Sequence, residues 1–314
     1  MLSVVVPCYQ EAANLPRLHE ALVEMSAQLD AAEIEVILVN DGSLDNTFEV
    51  AWKIAQDDPR VRVLSFSRNF GKEAAMLAGL REARGEAVVI LDADLQHPPE
   101  LIPRMLQTLQ ATGAGQVVAK RDRRGDPVLR SLLSRIYYRL VNSMIDVRLE
   151  DGVGDFRMLS RRAVDALLEL AERNRFSKGL FAWIGFRTET IEYRNVGRGA
   201  GASSWSLGSL VNYGIDGVIS FNDRPLRLLA GLGGFTALGG LLYLLWLILN
   251  WWRAGVDTPG YITTIAVMTI LGGIQLLSVA LVGEYVGRIY AEVKARPHYI
   301  VEHDSARESE RGPQ

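Results

Sequence analysis

Two carboxylates separated by one residue, in Asp92-Ala93-Asp94, have the residue types and spacing best suited to chemistry. They directly follow an apolar run at residues 87–91 that is typical of a buried strand. At a strand end, one carboxylate can hold the ribose or base side of a nucleotide, while the other binds Mg²⁺ or Mn²⁺, which prefer hard oxygen ligands. Such a metal neutralises a pyrophosphate as negative charge grows on it. Gln96 can supply a further oxygen ligand.

Polar residues also follow the first two apolar runs of the chain. Glu11 comes shortly after the first run, and Asp41 follows the second. Asp41 opens a segment rich in turn-forming residues, in which Asp45 or Asn46 is expected to cap the next helix. Capping leaves Asp41 free to face a crevice, where its carboxylate can accept a hydrogen bond from a pyrimidine or purine N–H.

Other kinds of site do not fit the sequence. No G-x-G-x-x-G turn follows the first strand, and Gly71-Lys72-Glu73 is not a G-x-x-x-x-G-K-[ST] loop. His97 has no second histidine nearby, which favours a structural role over a zinc-type cluster. The single cysteine, Cys8, excludes an intrachain disulfide and suits a reducing cytosolic face. A net charge of −3 does not indicate a nucleic-acid partner.

Strand-like and helical patterns alternate through the first part of the chain. Apolar, β-rich runs lie at residues 2–7, 35–39, 61–66, 87–91 and 116–119, with helical patterns at 15–29, 47–56, 72–83 and 99–110. This alternation predicts an α/β fold in which a mainly parallel sheet is covered by helices on both faces. In such sheets ligands bind beyond the carboxyl ends of the strands, which is where the polar residues described above lie. A further strand is predicted at residues 186–196.

Two long runs without charge lie in the last third of the chain. Residues 228–252 and 258–283 each exceed the ~20 residues that a helix needs to cross a ~30 Å hydrocarbon core, so two membrane spans are predicted. Lys and Arg concentrate outside the short connection between the runs, which predicts that both termini are cytoplasmic. Residues 128–146 and 206–221 form amphipathic helical patterns. The first of these helices packs on the domain or lies in the membrane interface.

These patterns divide the chain into four parts. Residues 1–205 form a cytoplasmic domain, 206–225 an amphipathic juxtamembrane helix, 226–287 two transmembrane helices with a short outer loop, and 288–314 a cytoplasmic helix and tail. The polar tail from residue 304 is predicted to be disordered. Gly283, Gly287 and the glycines at 231, 233, 234, 239 and 240 allow close helix approach in lipid, either between the two spans or in a homo-oligomer.

Together these motifs resemble the inverting family 2 glycosyltransferases, and within them the polyprenyl-phosphate sugar transferases, such as dolichyl-phosphate mannose synthases and bactoprenol glucosyltransferases. The resemblance rests on residues 5–14 (VVPCYQEAAN), 39–47 (VNDGSLDNT), 67–72 (SRNFGK), 91–99 (LDADLQHPP) and 154–157 (GDFR). Residues 283–290 (GEYVGRIY) with Arg296-Pro297 are similar to the two-span bacterial branch. The resemblance implies a GT-A type fold, a nucleotide-sugar donor, Mg²⁺ or Mn²⁺, and a polyprenyl phosphate acceptor at a bacterial cytoplasmic membrane.

The resemblance also implies roles for residues at matched positions. Those that would contact the nucleotide-sugar are Pro7, Tyr9, Glu11, Asp41, Asp92 and Ala93. Asp94 and Gln96 would hold the metal, and Asp155 lies where the family has an aspartate near the reacting centre. Asp155 and Asp94 are therefore the expected catalytic residues, and Arg121 and Arg198 would bind phosphates of donor or acceptor.

The chain departs from the family pattern at one position. Where the family commonly has a Ser-Lys-aromatic triplet, this chain has Ser203-Ser204-Trp205, so Ser204 replaces a lysine that helps to bind phosphate. Phosphate binding must then rely more on Arg198, Arg121 or a neighbour such as Lys178.

The two predicted spans bear on the chemistry of the acceptor. A sugar hydroxyl needs a general base, whereas a lipid phosphate, with a second pKa of about 6, is already an oxyanion at neutral pH. Asp155 is therefore expected to orient groups rather than to act as an obligatory base. Transfer of glucose from UDP-glucose to undecaprenyl phosphate is the favoured hypothesis. A polysaccharide or glycolipid synthase with a hydroxyl acceptor, and a non-catalytic membrane scaffold, are the alternatives.

Overall fold

The computed structural model describes residues 1–29, 34–121, 142, 153–170, 172–173, 175–193, 224–254 and 260–311. The strands are β1 (Leu2–Cys8), β2 (Ile34–Asn40), β3 (Val61–Phe66), β4 (Ala87–Ile90), β5 (Gln116–Arg121), β6 (Val153–Ser160), β7 (Thr188–Tyr193) and β8 (Val301–Asp304). The α-helices are α1 (Leu15–Ser26), α2 (Thr47–Asp57), α3 (Lys72–Glu82), α4 (Ile102–Thr112), α5 (Arg161–Glu169), α6 (Ser177–Trp183), α7 (Arg224–Ala254), α8 (Tyr261–Lys294) and α9 (Ser305–Arg311). The predicted strands and helices that fall on described residues are confirmed with small shifts at their ends, whereas β6, α5, α6, β8 and α9 were not predicted.

The eight strands of the described residues form one sheet, in the order β7-β5-β6-β4-β1-β2-β3-β8. β1 pairs in parallel with β2 and β4, β2 with β3, and β5 with β7. β6 runs antiparallel between β4 and β5, and β8 runs antiparallel to β3 at one edge. The α/β class with a mainly parallel sheet is thereby confirmed.

Helices cover both faces of the sheet because its central strands are apolar on both sides. Val4 and Val6 of β1 face α1, α2 and α4, whereas Val5 faces α3 and α5. The approach of α3 to β1 depends on Gly79, since an ideal Cβ there would lie 2.2 Å from Cγ1 of Val5. The sheet is thus held between two apolar layers, and its strand ends are left for polar residues.

The C-terminal tail is ordered as far as Arg311, so the prediction of disorder from residue 304 is wrong. Asp304, which is buried, ends β8 and accepts two hydrogen bonds from the Arg62 guanidinium, at 3.1 and 2.8 Å. The N–H of Val63 donates to Oγ of Ser305 at 2.9 Å, at the start of α9. Pairing with β3, which the polar composition of the tail does not reveal, therefore returns the chain to the sheet.

The helices α7 and α8 form an apolar hairpin. Leu229–Asn250 and Thr263–Lys294 are long and apolar enough to cross a membrane, and neither is buried inside the structure. These helices match the two predicted spans in length and composition, and α8 continues as predicted through the charged turns to Lys294.

The glycines of the hairpin do not make the expected contact between the two spans. Open space surrounds an ideal Cβ at each of the glycines at 231, 233, 234, 239, 240, 283 and 287. Homo-oligomerisation through them stays a prediction. The amphipathic segments 206–221 and 128–146 lie outside the described residues, except for Asn142, so the domain boundaries at 205 and 225 are also still predictions.

Candidate active site

Parallel pairing brings the ends of β1, β2 and β4 to one edge of the sheet. Cys8 lies opposite Asn40 in register, and the N–H of Asp41 donates to the Cys8 carbonyl at 2.9 Å. The segments at and after these strand ends carry the six residues predicted to contact the nucleotide-sugar: Pro7, Tyr9, Glu11, Asp41, Asp92 and Ala93. Among these, the Tyr9 side chain is exposed and Ala93 is buried.

Glu11 lies beside the two carboxylates that follow β4. Its N–H donates to Oγ1 of Thr47 at 2.9 Å, and its carboxylate accepts from the Asn14 amide at 2.6 Å. Burial raises the pKa of Glu11, whereas the hydrogen bond from Asn14 lowers it. Repulsion from Asp94 and Asp92 raises the pKa further. The structure therefore gathers three carboxylates at this edge, where their negative potential favours a cation.

Asp41 does not face the crevice freely, contrary to the expectation. Its carboxylate is buried and accepts from the backbone N–H groups of Phe70, at 2.6 Å, and Gly71, at 2.9 Å. Burial raises the pKa of Asp41, and these N–H groups and Arg68 oppose the rise. Asp41 joins the end of β2 to the segment after β3, and a base contact by its remaining lone pairs stays a prediction.

The turn after Asp41 requires a glycine. Gly42 has a φ of 60°, and an ideal Cβ there would lie 2.2 Å from the carbonyl carbon of Arg68. Only a residue without a side chain lets the two segments approach this closely. The predicted cap is confirmed for Asp45, which accepts from the N–H of Thr47 at 3.2 Å, whereas Asn46 makes no side-chain cap bond.

Lys72, at the start of α3, joins two of the predicted site residues. Its Nζ lies 2.6 Å from Oδ1 of Asp92 and 2.7 Å from Oδ2 of Asp155. Burial lowers the pKa of Lys72, but the carboxylates of Asp155 and Asp92 outweigh burial and raise it above the ordinary value. Lys72 was not predicted as a site residue, although the segment 67–72 also follows a strand of the parallel sheet.

Asp155 is ionised at neutral pH. Burial raises its pKa, but the ammonium of Lys72, with a smaller contribution from Lys178, lowers the pKa to about 2. A carboxylate with so low a pKa is a weak general base at neutral pH. The arrangement favours the predicted orienting role over base catalysis.

The two predicted metal ligands lie in contact. The backbone N–H of Gln96 donates to Oδ1 of Asp94 at 3.1 Å, and its amide nitrogen donates to Oδ2 at 2.6 Å. The left-handed backbone of Leu95, with a φ of 58°, folds Gln96 back onto Asp94. Asp94 is half-buried, so its side chain stays partly accessible to solvent.

Asp94 and Gln96 suit an open Mg²⁺ or Mn²⁺ site, which substrate oxygens complete, better than a closed site made of protein ligands alone. The described part of the chain contains no group of three or more His, Cys, Asp or Glu residues that could hold a metal ion. Mg²⁺ is typically bound by one or two carboxylates, substrate phosphates and water. Asp94, with an oxygen from Gln96, would hold such a cation once diphosphate oxygens complete its coordination.

His97 has the structural role that the sequence favours. Its Nδ1 lies 2.7 Å from the Tyr193 hydroxyl, and its ring stacks on Phe156 with centroids 5.1 Å apart. Its Nε2 lies 3.8 Å from Oδ2 of Asp92, so the imidazole packs beside this carboxylate.

The predicted phosphate-binding residues are only partly within the described structure. Arg121 ends β5, but its side chain lies outside the described residues, as do Arg198 and Ser204. Lys178 on α6 is described, and its charge lowers the pKa of Asp155, which means that it lies near that carboxylate.

Beside Lys72 and Asp155, a cavity of about 880 Å³ extends toward the end of α8. Lys178, Lys294 and Arg296 are among its lining residues. Lys72 thus lies between the carboxylate of Asp92, after β4, and the basic cavity that it lines with Asp155.

Comparisons with known proteins assign the family. Residues 3–168 match the protein family described as Glycosyl transferase family 2, and residues 224–289 match the GtrB C-terminal hairpin. The protein described as Putative glycosyltransferase CsbB, from Bacillus subtilis, is 48% identical over 301 residues, which cover 96% of this chain and 91% of that protein. The chain belongs to glycosyl transferase family 2. Its sheet is the GT-A type that the resemblance implied.

Other relatives of this glycosyltransferase cover nearly its full length. The bactoprenol glucosyl transferase of Shigella phage SfV is 40% identical over 304 residues, covering 96% of this chain and 98% of that protein. Among solved structures, mannosyl-3-phosphoglycerate synthase from Rubrobacter xylanophilus has a TM-score of 0.48 at 19% identity, covering 73% of this chain and 74% of that one.

Proposed function

We propose that the protein transfers a sugar, with inversion, from a nucleotide-sugar to a polyprenyl phosphate, with UDP-glucose and undecaprenyl phosphate as the preferred pair. The observation that carries this proposal is the Lys72 ammonium, which lies between Asp92 and Asp155 and lines the basic cavity. Relatives described as bactoprenol glucosyl transferases, 40% identical over 96% of this chain, support the acceptor class.

The donor would lie along the carboxyl edge of the sheet. Its nucleotide would contact the six residues predicted for it, and its diphosphate would lie near Asp94 and Gln96. When bound there, Mg²⁺ or Mn²⁺ would offset the negative charge of the leaving nucleoside diphosphate. The protein's own contribution is to hold the anomeric carbon where an acceptor in the cavity can approach from the opposite side.

The reaction exchanges one bond at the anomeric carbon for another. An oxygen of the acceptor phosphate attacks that carbon, the bond to the diphosphate oxygen breaks, and UDP leaves with the electron pair. No proton has to be removed, because the acceptor phosphate is already an oxyanion at neutral pH. Asp155 positions Lys72, and the ammonium offsets the repulsion between the site carboxylates and two anionic substrates.

Incorporation of labelled sugar into lipid tests this function. Membranes with the full chain, Mg²⁺ or Mn²⁺ and undecaprenyl phosphate are incubated with a panel of labelled nucleotide-sugars, and the lipid extract is counted. UDP-glucose is expected to label the extract. A chain that labels no lipid with any member of the panel, while it binds UDP, would contradict the proposal.

We also propose that the catalytic domain and both termini lie on the cytoplasmic face of a bacterial inner membrane. The support is the excess of Lys and Arg beside the outer ends of the two spans. Cys8 is buried and is the single native cysteine, so introduced cysteines report topology cleanly. Thr258→Cys should react with an impermeant maleimide in intact cells, and Glu308→Cys only after permeabilisation; the reverse pattern would overturn the orientation.

A further inference from the structure

The basic cavity has walls from four parts of the chain. The first is the segment before α3 with the start of that helix, from Ser67 to Ala74, and the second is Asp155 of β6. The third consists of Arg173, Arg175 and Lys178, and the fourth is the end of α8 with the residues that follow it as far as Ile300. The backbone N–H of Arg173 donates to Glu292 of α8 at 2.7 Å, which links two of these walls. The cavity therefore joins the reacting centre to the helix that leaves the apolar hairpin.

Positive charge dominates the lining of this cavity. Its cationic residues are Arg68, Lys72, Arg173, Arg175, Lys178, Lys294 and Arg296, against the carboxylates of Glu73 and Asp155. Both carboxylates are already engaged, Asp155 with Lys72 and Glu73 with the N–H and hydroxyl of Ser177. An anion that enters the cavity therefore meets a net positive field.

The two cations at the mouth of the cavity are exposed. Among the described residues, neither Lys294 nor Arg296 forms a salt bridge, although Lys294 lies 5.0 Å from the centre of the Tyr290 ring. Burial lowers the pKa of the nearby His298, and repulsion from Arg175 lowers it further. The mouth therefore carries more positive than negative charge, with Glu292 as the nearby carboxylate.

An apolar stripe on α8 leads to the same mouth. Val282, Val286, Ile289 and Val293 are spaced at i, i+4, i+7 and i+11, which aligns them on one helix face, and all four are exposed. Tyr290 lies beside this stripe and lines the cavity. A ligand that uses both surfaces needs a long apolar tail and an anionic head.

We propose that this cavity is the entry site of the acceptor lipid, with its phosphate drawn in by Arg296, Lys294 and Lys178 and its tail lying along the stripe on α8. The inference rests on the proposed function and deepens it. Lys178 would then serve at the inner end of the path, near Asp155, where the phosphate attacks. This would account for phosphate binding in a chain that has Ser204 where the family resemblance implies a lysine.

Kinetics with the full chain in nanodiscs test the entry site. Arg296→Gln and Lys178→Gln are each expected to raise the KM for undecaprenyl phosphate about tenfold, the loss of one charge-assisted contact. The KM for UDP-glucose should stay within about twofold of wild type, since these cations do not line the nucleotide crevice. Lys53→Gln, which removes an exposed cation on α2, is the matched control and should change neither KM.

The stripe is tested with acceptors of different tail length. Ile289→Ser should raise the KM for undecaprenyl phosphate but not for a ten-carbon prenyl phosphate, whose tail is too short to follow the helix. Leu242→Ser on α7 is the control for a serine on an exposed apolar helix face. Inorganic phosphate should compete only weakly; inhibition at concentrations near the lipid KM would mean a free-phosphate site and would overturn the lipid assignment.

The outcomes separate this inference from the proposed function. If wild type makes no lipid-linked sugar, the proposed function fails. The other outcome is an active wild type with Arg296 and Lys178 variants that bind UDP and melt like wild type. If these variants keep the wild-type KM for the lipid, the proposed entry site is wrong, while the proposed function stands.

Discussion

Replacing Lys72 by methionine removes the cation that lies between Asp92 and Asp155 and lines the basic cavity. Methionine keeps most of the side-chain volume and the unbranched shape, so α3 is not expected to move. The ammonium, 2.6 Å from Asp92 and 2.7 Å from Asp155, is lost, and the net charge of the three groups changes from −1 to −2. Both proposed substrates are anions, so the change opposes the approach of each.

The expected loss can be estimated from the charges. One unit charge acts on another with about 3 kcal/mol at about 5 Å in an effective dielectric constant of about 20. That energy corresponds to about a hundredfold in rate. The Lys72 side chain is 42% exposed, so solvent screens part of the interaction. We therefore expect Lys72→Met to lower kcat/KM by between about tenfold and a hundredfold.

Lipid-linked sugar formation by purified full chain measures this loss. Lys72→Arg, which keeps the charge with different geometry, should recover part of the activity. Thermal melting and UDP binding establish that each variant is folded. A Lys72→Met variant that is folded, binds UDP and turns over within about twofold of wild type would refute the electrostatic role of Lys72.

Three further predictions concern stability, the glycine turn and the metal. Burial raises the pKa of Asp304, but the guanidinium of Arg62 holds this pKa below its ordinary value. The stability that the pair contributes is therefore present above pH ~4 and is lost as the pH falls through the lowered pKa. Asp304→Asn should lower the free energy of unfolding by about 1.5–3 kcal/mol at neutral pH, the value of hydrogen bonds to a charged group, and flatten that acid dependence. Denaturation at several pH values measures both effects, and an unchanged profile would contradict the pairing. Gly42→Ala should raise the KM for the donor and lower the free energy of unfolding by about 1–3 kcal/mol. Gly113→Ala, at a position with a similar φ but with open space around the new Cβ, should lower the free energy of unfolding by less and leave the KM unchanged. Asp94→Asn should remove most of the Mn²⁺ dependence of UDP binding in calorimetry, and equal Mn²⁺ dependence in both proteins would exclude Asp94 as a ligand.

The sequence determined the strands of the sheet and the place of the carboxylates on it. Apolar runs such as residues 87–91 can only be buried strands or short core helices, and their alternation with helical patterns implies parallel pairing. Parallel strands end at one edge, so the sequence by itself places Asp92 and Asp94 at that edge of the sheet. The two uncharged runs near the C-terminus likewise predicted the hairpin helices from length and composition.

Some local predictions failed because a side chain has several partners within reach. Asp41 was expected to be free, yet it bonds the N–H groups of Phe70 and Gly71, which lie in a segment of the chain 29 and 30 residues away. No pattern within the turn indicates which segment packs against it. The close approach allowed by Gly42 decides this, and a close approach is a tertiary property.

The ion pairs and the ordered tail were decided by tertiary structure alone. Lys72 meets Asp155 across 83 residues of sequence, and Arg62 meets Asp304 across 242 residues. The sequence pattern around a charged residue does not indicate which residue it pairs with. A polar strand such as β8 is stable only because the exposed edge of β3 supplies its hydrogen bonds. The sequence therefore determined which strand ends carry the carboxylates, whereas the position of the start of α3 near the ends of β4 and β6 decided that Lys72 lies between Asp92 and Asp155.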